Sequence, residues 1–144
     1  MNKSIRTILI IVVVIAVFVG LFIWSRQLRP ADSEVVSTNG IHWHPTLTIT
    51  AQGKPITIPP NIGLGTIHQP IHTHDEDAAQ GVIHLEFSGI VKRQDITLGQ
   101  FFKNWDKDMR SFGQSMVMKV NGVENTDYEN YVFHETDKIE LIYE

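Results

Sequence analysis

The sequence predicts an α+β domain behind a single N-terminal apolar helix. Ile8 to Trp24 is an unbroken run of 17 apolar or glycine residues. From Gly40 onward, short segments alternate apolar and polar residues with the period of a strand, whereas Leu98 to Met109 follows the period of a helix. Together they predict a mixed sheet with one packed helix, preceded by one membrane-spanning helix.

At about 1.5 Å per residue the apolar run reaches roughly 26 Å, close to the hydrocarbon thickness of a bilayer. Trp24 at its end suits the interfacial aromatic belt. The run is longer than the apolar part of a signal peptide, and no small-x-small cleavage site follows in Trp24 to Pro30. Residues 1–29 therefore read as a retained signal-anchor whose partner is the lipid bilayer. Lys3 and Arg6 before the run are balanced by Arg26 and Arg29 after it. A very short N-terminal tail usually stays inside, which places the rest of the chain outside the cytoplasm. Residues 30–39 (PADSEVVSTN) read as a polar tether and residues 40–144 as one extracytoplasmic domain.

The chain has no cysteine, which excludes a disulfide scaffold and any thiolate metal site. Its formal net charge is −4 and no Lys/Arg-rich stripe is present, which argues against a nucleic-acid partner.

Ile41 to Thr50 alternates, with Ile41, Trp43, Leu47 and Ile49 on one face and His42, His44 and three threonines on the other. Gln52-Gly53 turns the chain into a second strand, Lys54 to Ile58, ended by Pro59-Pro60. Asn61 to Ile71 is a glycine-containing loop without a phosphate-binding signature. Val82 to Ser88 is the next strand, with Ile83, Leu85 and Phe87 inward. Thr97 and Gln100 form a capping-box pattern, opening a helix whose Leu98, Phe101, Phe102, Trp105 and Met109 make a core-facing stripe, with Gly113 as its stop. Ser115 to Val120 enters an Asn121-Gly122 hairpin, and Lys138 to Tyr143 is the last strand. Met116 and Met118 share one strand face and read as core.

The chemistry lies in the histidines. His42-Trp43-His44 and His72-Thr73-His74 are two His-x-His pairs, and His84 lies on the polar face of its strand. Residues i and i+2 of a strand project from one face, so each pair aims two imidazoles at one point. Imidazole is the commonest metal ligand on proteins, and a histidine set without thiols suits Cu(II) or Zn(II). His42, His44, His72, His74 and His84 are the expected ligands, with Asp75 beside the second pair and Glu86 beside His84 as supporting carboxylates. His68 and His134 read as surface residues. A Cu(II)- or Zn(II)-binding carrier or sensor is the first functional expectation. A metallohydrolase using Glu86 or Asp75 as base is the enzymatic alternative. A module that binds a neighbouring membrane protein through a sheet edge is the non-metal alternative.

Two resemblances add to this reading. Val120-Asn121-Gly122 and Asp127 to Leu141 are similar to the closing segment of the ubiquitin-like β-grasp, where a turn with a buried tyrosine precedes the central strand. That implies a β-grasp-like mixed sheet and no function. The domain also resembles an uncharacterised group of membrane-anchored prokaryotic proteins, through His42 to His44, Ile58 to Gly63, His72 to Asp75, Gly81 to Glu86 and Thr97 to Phe102. This resemblance implies membrane anchoring and no assigned reaction.

Overall fold

Helix α1, Lys3–Gln27, contains the expected apolar run and extends it at both ends. The computed structural model describes residues 2–27 and 34–144, which form two separate units. Within α1, Ser4–Trp24 is 21 residues of apolar helix, long enough by length and composition to cross a membrane, and none of it is buried. The first part of the expected tether, residues 30–33, lies outside the described residues. Its remainder is not all tether: β1 (Val35–Ser37) pairs antiparallel with β7 (Val91–Lys92).

The expected strand Ile41 to Thr50 is two strands in two sheets. β2 (Ile41–Trp43) and β3 (Thr46–Ala51) are separated by His44 and Pro45. Proline has no ladder donor, so the hydrogen-bonding pattern is interrupted there and the chain changes partners. β3 enters a five-stranded sheet of order β4-β3-β10-β8-β9, in which β4 is Lys54–Ile56, β8 is Met116–Val120, β9 is Val123–Glu124 and β10 is Lys138–Tyr143. β10 runs parallel to β3, matching Ile139 to Leu47 and Leu141 to Ile49, and antiparallel to β8, matching Leu141 to Met118. These matched pairs put buried apolar side chains on one face. The two outer hairpins close through Gln52-Gly53 and Asn121-Gly122, all four residues having φ above zero, as a tight two-residue hairpin requires.

β2 enters a three-stranded sheet of order β2-β6-β5, in which β5 is Ile71–His72 and β6 is His84–Phe87. β5 was not foreseen, because it continues directly from a loop and is only two residues long. It is held from the other side: the Asn104 side-chain amide donates to the Ile71 carbonyl at 2.8 Å, and Gln100 donates to Asn104 at 2.8 Å. Ile71, Ile83 and Leu85 from this region join Leu47, Ile49, Ile139 and Leu141 in one hydrophobic core. The two sheets are joined at a close backbone crossing. Gly81 has φ of 82°, and a β-carbon there would collide with the Leu47 carbonyl.

Helix α2, Leu98–Asn104, begins as expected, with the Thr97 hydroxyl accepting from the Gln100 amide at 3.2 Å. It is shorter than the apolar stripe. Trp105 caps it, Asp106 takes φ of 56°, and Met109–Phe112 is a separate 3₁₀ turn started by Asp108, whose carboxylate accepts from the Arg110 amide at 2.8 Å. Met109 is nevertheless buried, as are Leu98, Phe101 and Phe102. Met118 is buried and Met116 packs against the core, as the strand pattern predicts.

Thr97→Ala should cost about 1 kcal/mol through the lost cap. Phe101→Ala should cost roughly 3–5 kcal/mol through the cavity it leaves. Urea unfolding of the two variants checks both, and equal, negligible effects would contradict this placement of α2.

Candidate metal centre

Each His-x-His pair is aimed by its middle residue. Thr73 is buried and pinned from four directions: its hydroxyl donates to Pro59 and accepts from the Ile62 amide, both at 3.0 Å, while its backbone exchanges bonds with Asn61 and Ile62. His72 and His74 must then face the other way. Trp43 likewise packs against the core and turns His42 and His44 outward.

Strand register completes the arrangement. β2 and β6 match His42 to Glu86, and β5 and β6 match His72 to His84. The β2–β6 register continues past the strand end to Thr46 opposite Val82, which brings His44 opposite His84. His84, on the central strand, is therefore flanked by a histidine on each side. Ring centroids lie 4.8 Å apart for His44 and His84, 4.5 Å for His74 and His84, and 4.7 Å for His72 and His74. Among the described residues, His72, His74, His84 and Glu86 form one group able to hold a metal ion and His42, His44 and His84 form another, with ligand atoms within 4.8 Å of one another in each.

The hydrogen bonds specify which nitrogens are free. His72 Nδ1 lies 3.0 Å from the Gln69 carbonyl, which can only accept, so Nδ1 carries the proton and Nε2 keeps its lone pair. That Nε2 is 3.1 Å from His74 Nε2 and 3.5 Å from His68 Nε2. Two nitrogens bound to one ion at about 2.0–2.1 Å sit roughly 2.9–3.4 Å apart, so the His72–His74 spacing needs little change to hold an ion. His84 Nε2 is 2.9 Å from the Asp77 carboxylate, which accepts, leaving Nδ1 as the free nitrogen. That Nδ1 is buried with no hydrogen-bond partner. An orphaned buried nitrogen beside other imidazoles fits a metal ligand, and a carboxylate on its far nitrogen is the usual support for one.

Burial, and then the charges of His68 and His74, push His72 below the ordinary histidine value of 6.5, against the opposing pull of the Gln69 carbonyl and Glu86. His44 is lowered too, by partial desolvation first and then by His84 and His42, although its side chain reaches solvent. Both shifts keep the imidazoles neutral, the form that binds metal.

Asp75, expected beside the site, is exposed and accepts from the Asn61 amide at 2.9 Å, outside both groups. Asp77, two residues on, supplies the carboxylate contact instead. Three acids in a row, Asp75-Glu76-Asp77, gave no sign of which faced inward. The same carboxylate is not fully matched, since Asp77 Oδ1 is buried without a partner. His68, read as a surface residue, is exposed but its ring stacks edge-on against His72 at 4.5 Å. Its spacing of four from His72 carries no strand or helix signal, because a loop joins them. His134 is on the surface as expected, 3.2 Å from Asp137. No protein-family model, curated protein or solved structure matches this chain. The site is therefore read from its own geometry.

His72 and His44 titrate below their unfolded value, so the stability they contribute is fully present above pH 6.5 and is lost as pH falls through their folded values. With a chelator present, the thermal midpoint should drop as pH is lowered from about 7.5 to about 5, and His72→Gln should flatten that slope. An unchanged slope would contradict a lowered His72 pKa.

Proposed function

We propose that this chain is a membrane-anchored, extracytoplasmic domain that binds one divalent transition-metal ion, Cu(II) or Zn(II), as a carrier or sensor. The observation that carries this reading is the grouping of His72, His74, His84 and Glu86, with ligand atoms within 4.8 Å of one another, together with the buried, unpartnered His84 Nδ1. The resemblance to membrane-anchored prokaryotic proteins is consistent with it. So is a β-grasp-like scaffold, supported by the parallel β3–β10 pair, a hairpin on each side, and α2 between the two hairpins in chain order. Such a scaffold is a platform and names no reaction. Glu86 lies in the inner group with its side chain 42% exposed, which is the feature that favours a hydrolase as second reading.

Calorimetric titration of the full chain in detergent micelles with Zn(II), then Cu(II), should show a saturable site. His74→Ala and Asp77→Asn should each weaken it, Asp77→Asn by about 10- to 100-fold. His134→Ala should leave it unchanged. No saturable binding of either metal would reject the reading. Turnover of ester or phosphoester substrates by the loaded protein, lost in Glu86→Gln, would favour the hydrolase over the carrier.

For the anchor, α1 should stay on the mature protein and resist alkaline carbonate extraction with the membrane fraction. N-terminal sequencing that begins near Ala31 or later would overturn it.

A further inference from the structure

We propose that the two histidine groups are two stations for a single ion, and that His84 is the pivot on which the ion passes from the exposed pair His42 and His44 to the inner pair His72 and His74. This inference rests on the metal-binding reading above. His84 belongs to both groups. Its Nε2 is committed to Asp77 at 2.9 Å, so only Nδ1 has a lone pair to give. One lone pair serves one ion, and the groups are alternatives, not neighbours filled together. A second ion bridged through His84 would first have to displace Asp77.

The rings form an unbroken row. Centroids are 4.7 Å apart from His42 to His44, 4.8 Å from His44 to His84, and 4.5 Å from His84 to His74. The outer end is the exposed one: the His42 side chain is 65% exposed and that of His84 12%, while His74 is half-buried and His72 beside it is sealed from solvent. An ion arriving from water meets His42 and His44 first. Glu86 spans the two stations, because its carboxylate is 3.3 Å from His42 Nε2 while it also belongs to the inner group.

The transfer is a ligand exchange without redox change. His84 Nδ1 stays bound while the His44 and then the His42 nitrogen leave and His74 Nε2 and then His72 Nε2 arrive, so two bonds form as two break. Any proton on His74 Nε2 returns to its Nδ1 through solvent, since His74 is only half-buried. His72 Nε2 is already free of a proton and completes the inner station.

The test uses the full chain in detergent micelles with Zn(II) as the probe. Calorimetry should give one ion per chain. In stopped-flow competition against a chromophoric zinc chelator, the double variant His42→Ala/His44→Ala should take up zinc about 10-fold more slowly, while its final affinity stays within about 3-fold of the parent. His72→Ala/His74→Ala should keep a weaker, rapidly exchanging site, and His84→Ala should lose both. Should the double alanine variant fail to fold, His44→Gln alone should slow uptake in the same direction. Two ions bound at once, unchanged uptake in the His42/His44 variant, or uptake slowed instead by His68→Ala would overturn the relay and leave the metal-binding reading standing. Absence of saturable zinc binding by the parent chain would overturn the relay, and absence of both Zn(II) and Cu(II) binding would remove the metal-binding reading as well.

Discussion

The joint at His44 and Pro45, where one extended segment leaves the small sheet for the large one, is the constraint that the rest of the domain obeys. Three backbone bonds fix it. The Pro45 carbonyl accepts from Ile83 at 2.9 Å, the Leu47 amide donates to Gly81 at 2.8 Å, and the Thr46 amide donates to Asp137 at 2.8 Å. Proline removes one donor at this point, where the chain changes sheets. Through the Asp137 carbonyl the joint is tied to the start of β10, and the buried carboxylate of the same residue accepts from the Tyr131 hydroxyl at 2.6 Å and the His134 amide at 2.7 Å. Through Gly81 and Ile83 it is tied to β6, and so to His84. The register of the small sheet is inherited from the packing of the large one.

This explains why five imidazoles can meet on so small a sheet. A one-residue slip of β6 against β2 or β5 would turn His84 into the core and Leu85 into solvent. Leu85 and Ile83 are fully buried, so that slip would expose two large apolar side chains and cost several kcal/mol. The hydrophobic pattern thus holds the histidines in line as a by-product of burying their neighbours. The positions that choose the geometry are Ile71, Thr73, Ile83 and Leu85, none of which has ligand chemistry of its own.

Much of this was legible in the sequence, and the failures have physical causes. The alternation around His42, His44 and His84 placed all three on a polar face, and the structure agrees. Asn121-Gly122 and Lys138 to Tyr143 read correctly because turn chemistry and period-2 burial are local signals. What could not be read was the break at Pro45, since alternation continues through it from Trp43 to Leu47 and hides the change of sheet. Nor could β1 and β5 be read. Short strands are defined by what they pair with, and Val35 to Ser37 pairs with residues more than fifty positions away. Asp77, the acid that meets His84, went unmarked in the sequence for a related reason. Which acid faces His84 depends on the turn through Ala78 to Gly81, where the Ala78 amide donates to the His74 carbonyl and Gly81 takes a left-handed conformation.

The imidazole cluster is a costly arrangement for the fold. His84 Nδ1 and Asp77 Oδ1 are buried without partners, each a loss of about 1–3 kcal/mol by comparison with a satisfied group. His72 is sealed from solvent and kept neutral. A sheet that only needed to fold would do better with apolar residues at these positions. Backbone pairing and the burial of their neighbours set the histidines in place. In the proposed relay the exposed imidazoles of His42 and His44 would give access at one end, and His72, sealed from solvent, retention at the other.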